Sequence, residues 1–433
     1  MPSDTHAQSV GYVRDTFLEP APPPEKLGGP VKWMRDNLFS SWFNGILTIL
    51  ALYFIIRLAV GVFPWFANGV WGTDGLAACR EILDGATGAC FSILQERWNQ
   101  MLFGISYPAT EYWRPVLAFV LLFVAAAPVL FWKLPRQMLI FTGLFPFLAY
   151  WLIYGGTILV PIIALLGTVA GYMAFTRLER ATGFVLALLG GVVAAVIVWW
   201  IGGMISAAMP GFIALEAVTT RDVGGFMLNM ILGTVCVSLS IPLGIALALG
   251  RQSRLPIIKG FCVIFIEFIR GVPLITLLFV ANVMLAYFFP PESNPDLILR
   301  VIIMITLFSG AYIAEVIRGG LAALPRGQYE AADSLGLDYP QAMRLIILPQ
   351  ALKISIPGIV NVAVGLFKDT TLVSIISMFD LVGAIRGPIL GSTQWTGIYW
   401  EVFGFAALLF FVVCYGISQY SQWLERQLAT DHR

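Results

Sequence analysis

The sequence predicts an all-α integral membrane protein with about ten transmembrane helices, and two observations carry that reading. Of the 433 residues, 58% are hydrophobic and 12% are charged, against roughly 25% charged in an average soluble domain. A chain with so little polar surface cannot cover itself in water, so its main solvent is lipid. Apolar stretches of about 20 residues, long enough to span a hydrocarbon core, recur along its length.

Taken in order, residues 1–43 form a polar tail with a flexible linker at Pro22-Pro23-Pro24 and Gly28-Gly29. The tail carries no signal-peptide pattern of basic start, short apolar run and small-residue cleavage site. Spans are expected at 44–66, 115–132, 138–154, 158–175 and 183–203, then at 226–249, 260–289, 298–323, 356–384 and 398–423. The third and fourth are divided only by Gly155-Gly156-Thr157. A long loop, 67–114, follows the first span, and a polar connecting segment, 204–225, divides a membrane region (44–203) from a second one (226–423). Residues 424–433 form a C-terminal tail.

Orientation follows from the basic residues of the short loops. Lys133, Arg136, Arg177, Arg180, Arg251, Arg254, Lys259, Arg326, Arg344 and Lys353 all fall on one side. The opposite short loops hold only Arg221 and Arg386, and the loop at 290–296 is purely acidic. The basic side is therefore cytoplasmic, and both termini lie there. Trp65, Trp113, Trp132, Trp151, Trp199, Trp200, Trp400 and Trp423 fall at span ends, as an interfacial belt requires.

Several function classes drop out. A net charge of +1 gives no footprint for nucleic acid, and the two histidines, His6 and His432, lie at the chain ends, which removes an internal histidine base or ligand. The five cysteines show no zinc spacing. Cys79 and Cys90 lie in the external loop, where an oxidising compartment permits a disulfide between them. Cys236, Cys262 and Cys414 read as packing residues. Ser240, Gly244 and Ala248 recur every four residues, the pattern of a close helix-packing face.

The most informative stretch is cytoplasmic, residues 325–357. Pro325 suits the first turn of a short helix, Gly336 offers a left-handed C-terminal cap, and Asp338 with Gln341 forms a capping box opening a second helix. Pro349 ends or kinks that helix. The first helix presents small Ala331 and Ala332 beside acidic Glu330 and Asp333, a face suited to docking against another protein. A plain solvated loop is the competing reading of this composition.

Spacing decides between them. Glu330-Ala331-Ala332, Gly336 and Ile346-Ile347-Leu348-Pro349 stand at the offsets of the EAA motif of ATP-binding-cassette importer permeases. Across about 220–425 the chain resembles that family. The segments 267–273, 312–320 and 367–372 look like its polar amino-acid uptake branch, and the additional N-terminal spans look like the longer permease of general L-amino-acid systems. The resemblance implies that Glu330, Ala331, Ala332, Gly336 and Pro349 belong to a coupling loop (325–349) that meets a separate ATPase. It further implies a heterodimer with a second, shorter permease, a cytoplasmic ATPase dimer, a periplasmic amino-acid-binding protein, and a place in the bacterial inner membrane. No G-x-x-x-x-G-K-[ST] loop occurs, so ATP and Mg belong to the partner ATPase and this chain binds no cofactor.

Ionisable groups at membrane depth are expensive and mark function. Glu267 with Arg270, and Glu315 with Arg318, stand at i, i+3 on helices and can share a face. Pro273 frees backbone groups just beyond the first pair. Lys368 and Asp369, beside Thr370, stand about 18 Å into their span. A zwitterionic amino acid needs a carboxylate for its ammonium and donors for its carboxylate; Asp369 and Arg270 supply these if the fold brings them together. Glu267, Arg270, Glu315, Asp369 and Thr370 are thus candidate pathway residues, and for Glu315 with Arg318 a structural salt bridge is an equal reading. A secondary amino-acid transporter driven by an ion gradient is the alternative function, which the EAA loop opposes. An intramembrane enzyme finds neither an internal histidine nor a G-x-S-x-G segment.

Overall fold

The structure is a computed structural model describing residues 29–131, 133–209, 211–288 and 295–428. The expected linker at Pro22-Pro23-Pro24 and Gly28, the acidic loop residues 290–294, Trp132 and the tail from residue 429 lie outside the described residues. The N-terminal helices are α1 (Pro30–Asn37), α2 (Trp42–Ala67), α3 (Leu76–Leu83), α4 (Ser92–Phe103), α5 (Trp113–Leu130), α6 (Met138–Tyr154), α7 (Leu159–Thr182) and α8 (Phe184–Ala208). There follow α9 (Gly225–Arg251), α10 (Pro256–Gly271), α11 (Leu274–Phe279), α12 (Leu285–Phe288) and α13 (Leu297–Ala322). The last are α14 (Arg326–Ser334), α15 (Tyr339–Ala342), α16 (Leu348–Asp369), α17 (Leu381–Ala384) and α18 (Tyr399–Leu428). Among the described residues the strands are β1 (Gly156–Thr157) and β2 (Ala214–Leu215), an antiparallel pair with Gly156 opposite Leu215.

Among the described residues, eight helices are long and apolar enough to cross a membrane. The expected span at 260–289 is broken: α10 and α11 meet at 102°. Val272 and Pro273 are extended there (ψ 132° and 140°), because proline bars the ladder from continuing. Counted as one span, the pair raises the number to nine. The third expected span is α6, apolar but only 17 residues long.

Two compact units divide the chain. The first holds residues up to Gly69 with Ala86–Ala89. Within it, Ser41 caps α2 by accepting from the Asn44 N–H at 3.2 Å, Thr48 donates to the Leu38 carbonyl at 2.8 Å, and the Ala89 N–H donates to the Trp65 carbonyl at 2.8 Å.

The second unit holds Val70–Gly85 and Cys90–Arg433. Here α7 and α8 form a hairpin held close by glycines: a Cβ on Gly171 or on Gly191 would stand 2.9 Å from the other's carbonyl oxygen. The 204–225 segment is tied to the ends of α5 and α6. The Val218 N–H donates to the Tyr154 carbonyl (2.8 Å), and Thr157 donates to the Phe212 carbonyl (2.9 Å). The fully buried Arg114 donates to the Glu216 carbonyl (2.9 Å) and pairs with Glu111 at 3.0 Å. Tyr107, whose phenol burial raises above its ordinary pKa, donates to the Ile153 carbonyl at 3.0 Å.

In the C-terminal half, α9 crosses α13 through the face of Ser240, Gly244 and Ala248, all buried. A Cβ on Gly244 would stand 2.5 Å from Ile313 Cγ2, and Ser240 hydrogen-bonds Ser309. Among the described residues, three large apolar clusters and a small one at Ile269, Leu277 and Ala311 run along this half. One surrounds Trp395, Phe226 and Phe367, one Leu232, Leu278 and Ile305, and one Ile266, Ile317 and Ile347.

Candidate functional site

The 325–349 loop folds as two short helices, α14 and α15. Pro325 is the cap of α14 rather than part of its first turn, with φ −60° and ψ 139°. Gly336 takes φ +71°, a conformation that only glycine adopts without strain, and lets the Leu337 N–H reach back to the Ala332 carbonyl at 3.2 Å. Asp338 accepts from the Gln341 N–H at 2.8 Å, and the Asp338 N–H donates to the Gln341 side chain at 3.4 Å, completing the capping box. The alanines part company: Ala332 is fully buried, while Glu330 and Ala331 are exposed. The presented face is therefore Glu330 with Ala331, flanked by exposed Leu335 and Tyr339.

Of the two outcomes expected at Pro349, an end or a kink, the first does not occur. The helical path runs through Pro349, from Tyr339 to Asp369 as π-turn and α-helix and on to Ile376 as a 3-10 turn. Residues Met343–Ile347 widen into a π-turn immediately ahead of Pro349. A wider turn shifts the ladder to i→i+5 partners and absorbs the missing proline N–H at the first turn of α16.

Next to this loop lies a charged cluster joining α9, α10 and α13. Arg251 Nη1 stands 2.9 Å from Glu267 Oε1 and 3.3 Å from Glu315 Oε2. Arg318 grips Glu315 through Nε at 2.9 Å and Nη2 at 2.6 Å. Arg270 Nη1 is looser, 3.8 Å from Glu315 and 4.0 Å from Glu267, with its Cζ 5.5 Å from the Tyr312 ring centroid. Three guanidinium groups thus share two carboxylates. Sequence reasoning placed Arg251 only in a loop; its part here needed the crossing of α9 over α10.

Asp369, the last residue of α16, belongs to none of these pairs, and neither does Lys368. Arg270 is committed to Glu315 and Glu267, and no hydrogen bond or ion pair joins it to Asp369 among the described residues. Asp369 is partly exposed, Lys368 is exposed and Thr370 is fully buried.

Thr370 belongs to a buried polar knot that the sequence reading missed. Its hydroxyl donates to the Phe367 carbonyl (2.7 Å) and accepts from Asn229 Nδ2 (2.9 Å). Asn229 Nδ2 also donates to Asp380 Oδ2 (3.2 Å), and Asn229 Oδ1 accepts from the Leu381 N–H (3.1 Å). Asp380 caps α17 by accepting from the Gly383 N–H at 2.9 Å. An asparagine inside an apolar span was the legible signal; its partners, far off in sequence, were not.

On the other side of the C-terminal half, Cys79 and Cys90 form a disulfide with Cα atoms 6.1 Å apart. The stapled helices sit against the C-terminal half. The Cys90 N–H donates to Glu401 (3.1 Å), the Trp395 indole to Glu96 (3.0 Å), and the Leu76 N–H to the Gln394 carbonyl (3.0 Å). At the neighbouring crossing, a Cβ on Gly104 would stand 2.8 Å from Gly224 Cα.

Residues 240–428 match the family described as binding-protein-dependent transport system inner membrane component. The chain is 49% identical to the glutamate/glutamine/aspartate/asparagine transport system permease protein BztC of Rhodobacter capsulatus, over 98% of this chain and 99% of that one. It is 38% identical to the inner membrane amino-acid ABC transporter permease protein YhdY of Escherichia coli, over 95% and 96%. A solved amino acid ABC transporter aligns over 47% of this chain and 92% of that one, at 32% identity and a TM-score of 0.42.

Proposed function

Because the chain belongs to the amino-acid permeases of binding-protein-dependent, ATP-binding-cassette importers, we propose that it forms one half of a translocation pathway for amino acids with acidic or amide side chains. End-to-end similarity to a permease named for glutamate, glutamine, aspartate and asparagine carries the reading. The chain is a multi-pass membrane subunit and not an enzyme; ATP hydrolysis belongs to a separate subunit.

Residues 226–423 serve as the permease core and 44–203 as an accessory membrane region. Within the core, the exposed face of Glu330 and Ala331, with the turn at Gly336, docks against the ATPase dimer; buried Ala332 seats that helix, and exposed Pro349 opens the following helix on the same loop. A second permease completes the pathway and a periplasmic amino-acid-binding protein delivers substrate. Asp369 receives the substrate ammonium, a role supported by the fact that no ion pair holds its carboxylate among the described residues. Glu267, Arg270 and Glu315 clamp α9, α10 and α13 at the cytoplasmic end of the pathway.

The test is uptake by the reconstituted four-component complex. Strict dependence on ATP and the ATPase, with indifference to uncouplers, is expected; uptake driven by an ion gradient without ATP would refute the reading. Both termini are placed in the cytoplasm. A cysteine at Ser293 should react with an impermeant thiol reagent in intact cells and one at Ser334 should not, and the reverse pattern would overturn the orientation.

A further inference from the structure

The knot of Asn229, Thr370 and Asp380 is costly to build, and only Thr370 among its members is a candidate pathway residue; Asn229 and Asp380 have no part in the pathway or the coupling loop as described. All three side chains are fully buried. A buried polar group without partners costs about 1–3 kcal/mol, yet this knot is closed. The Asn229 amide uses both its protons, on Thr370 Oγ1 and Asp380 Oδ2, and its oxygen takes the Leu381 N–H. The Thr370 hydroxyl spends its one proton on Phe367. Asp380 takes the N–H groups of Val382 and Gly383 besides Asn229. The start of α9 is tied to the same point through its backbone, where the Gly225 N–H donates to the Phe379 carbonyl at 2.7 Å.

The knot sits where the chain changes form. The helix α16 stops at Asp369, and Thr370–Ile376 tighten into a 3-10 turn that ends with Ser377 at φ +66°. An apolar span gains nothing by tightening there on its own, because 3-10 hydrogen bonds have poorer geometry. A side chain from another helix, Asn229 of α9, grips the first residue after Asp369. With Thr370 drawn into the core, Asp369, about 100° back around the helix, is turned away from the core.

We infer that Asn229 is a positioning residue for transport: by holding Thr370 and Asp380 it fixes where α16 ends, and so where the Asp369 carboxylate stands. The inference rests on the pathway role of Asp369 proposed above. Asn229 touches no substrate; it acts through Thr370 and the backbone of Asp369.

The experiment uses the reconstituted four-component complex, with glutamate and glutamine as probes and the half-saturating concentration of binding-protein-delivered substrate as readout. Asn229→Ala and Thr370→Val each remove the bond between α9 and the 3-10 turn. Each is expected to raise half-saturation about tenfold, the scale of one buried hydrogen bond. Thr370→Ser keeps the hydroxyl and should return near the wild-type value, a rescue that a loss of packing would not show. Each variant is then combined with Asp369→Asn. If Asn229 acts through Asp369, the double variants are no worse than Asp369→Asn alone. Wild-type half-saturation in both Asn229→Ala and Thr370→Val overturns the inference, as do effects that add fully to Asp369→Asn. If Asn229→Ala does not assemble, the Thr370 pair decides alone. Normal uptake by Asp369→Asn refutes the pathway role instead, and a Thr370→Val defect surviving that result marks the knot as structural.

Discussion

Neutralising Glu315 should destabilise the subunit far more than neutralising Glu267, although both belong to one charged cluster. Glu315 is the hub. Its carboxylate meets Arg318 at 2.6 and 2.9 Å, Arg251 at 3.3 Å and Arg270 at 3.8 Å, and its side chain is 23% exposed. Glu267 has one close partner, Arg251 at 2.9 Å, a second at 4.0 Å, and a side chain 53% exposed. Exposed pairs are worth about 1 kcal/mol or less, whereas removing one partner of a fully buried pair costs about 3–5 kcal/mol. Glu315 lies between these limits, so Glu315→Gln should cost about 2–3 kcal/mol; it leaves three guanidinium groups facing one carboxylate. Glu267→Gln should cost about 1 kcal/mol or less. Unfolding of a membrane subunit is rarely reversible, so the assay compares thermal inactivation of the purified complexes at one scan rate. Adding Arg251→Met to Glu315→Gln should recover part of the loss, since it removes surplus positive charge from a partly buried cluster. Equal losses for the two glutamines, or no recovery in the double variant, would refute the assignment of Glu315 as the hub.

Gly336→Val forces a β-branched side chain into φ +71° and Glu330→Lys reverses the presented charge. Both should leave membrane insertion intact while ATP-driven uptake falls, and normal uptake in both removes the coupling role. Of the five cysteines, Cys236, Cys262 and Cys414 are free and buried, so denatured, unreduced protein should titrate three thiols and reduced protein five. Cys79→Ser should loosen the stapled helices by roughly 3 kcal/mol, seen as faster tryptic cleavage at the exposed Arg80. Asp369→Asn should give intact complexes with sharply reduced uptake while Lys368→Met transports normally. Equal loss of folded complex in both would show a structural ion pair instead.

The sequence by itself determined the class of molecule, most of its long apolar helices and the turns of the 325–349 loop, because those are set by local physics; it did not show that the 260–289 span breaks at Pro273. Apolar runs must be long enough to cross lipid, Gly336 must adopt a left-handed turn, and Asp338 caps the helix two residues on; each constraint acts within a few positions. The pairing of Glu267 with Arg270 and of Glu315 with Arg318 was legible for the same reason. What only the tertiary structure decided depends on contacts between distant segments. The sequence showed neither that Arg251 closes the cluster nor that Ala332 turns inward while Ala331 stays out. It also could not show that the helix absorbs Pro349 through a π-turn that packing against α13 and α14 sustains. Asn229 is the sharpest case. Its position in an apolar span announced a partner, but Thr370 and Asp380 lie more than a hundred residues away. A buried amide is satisfied by whichever groups the fold brings to it, and only the crossing of helices selects them.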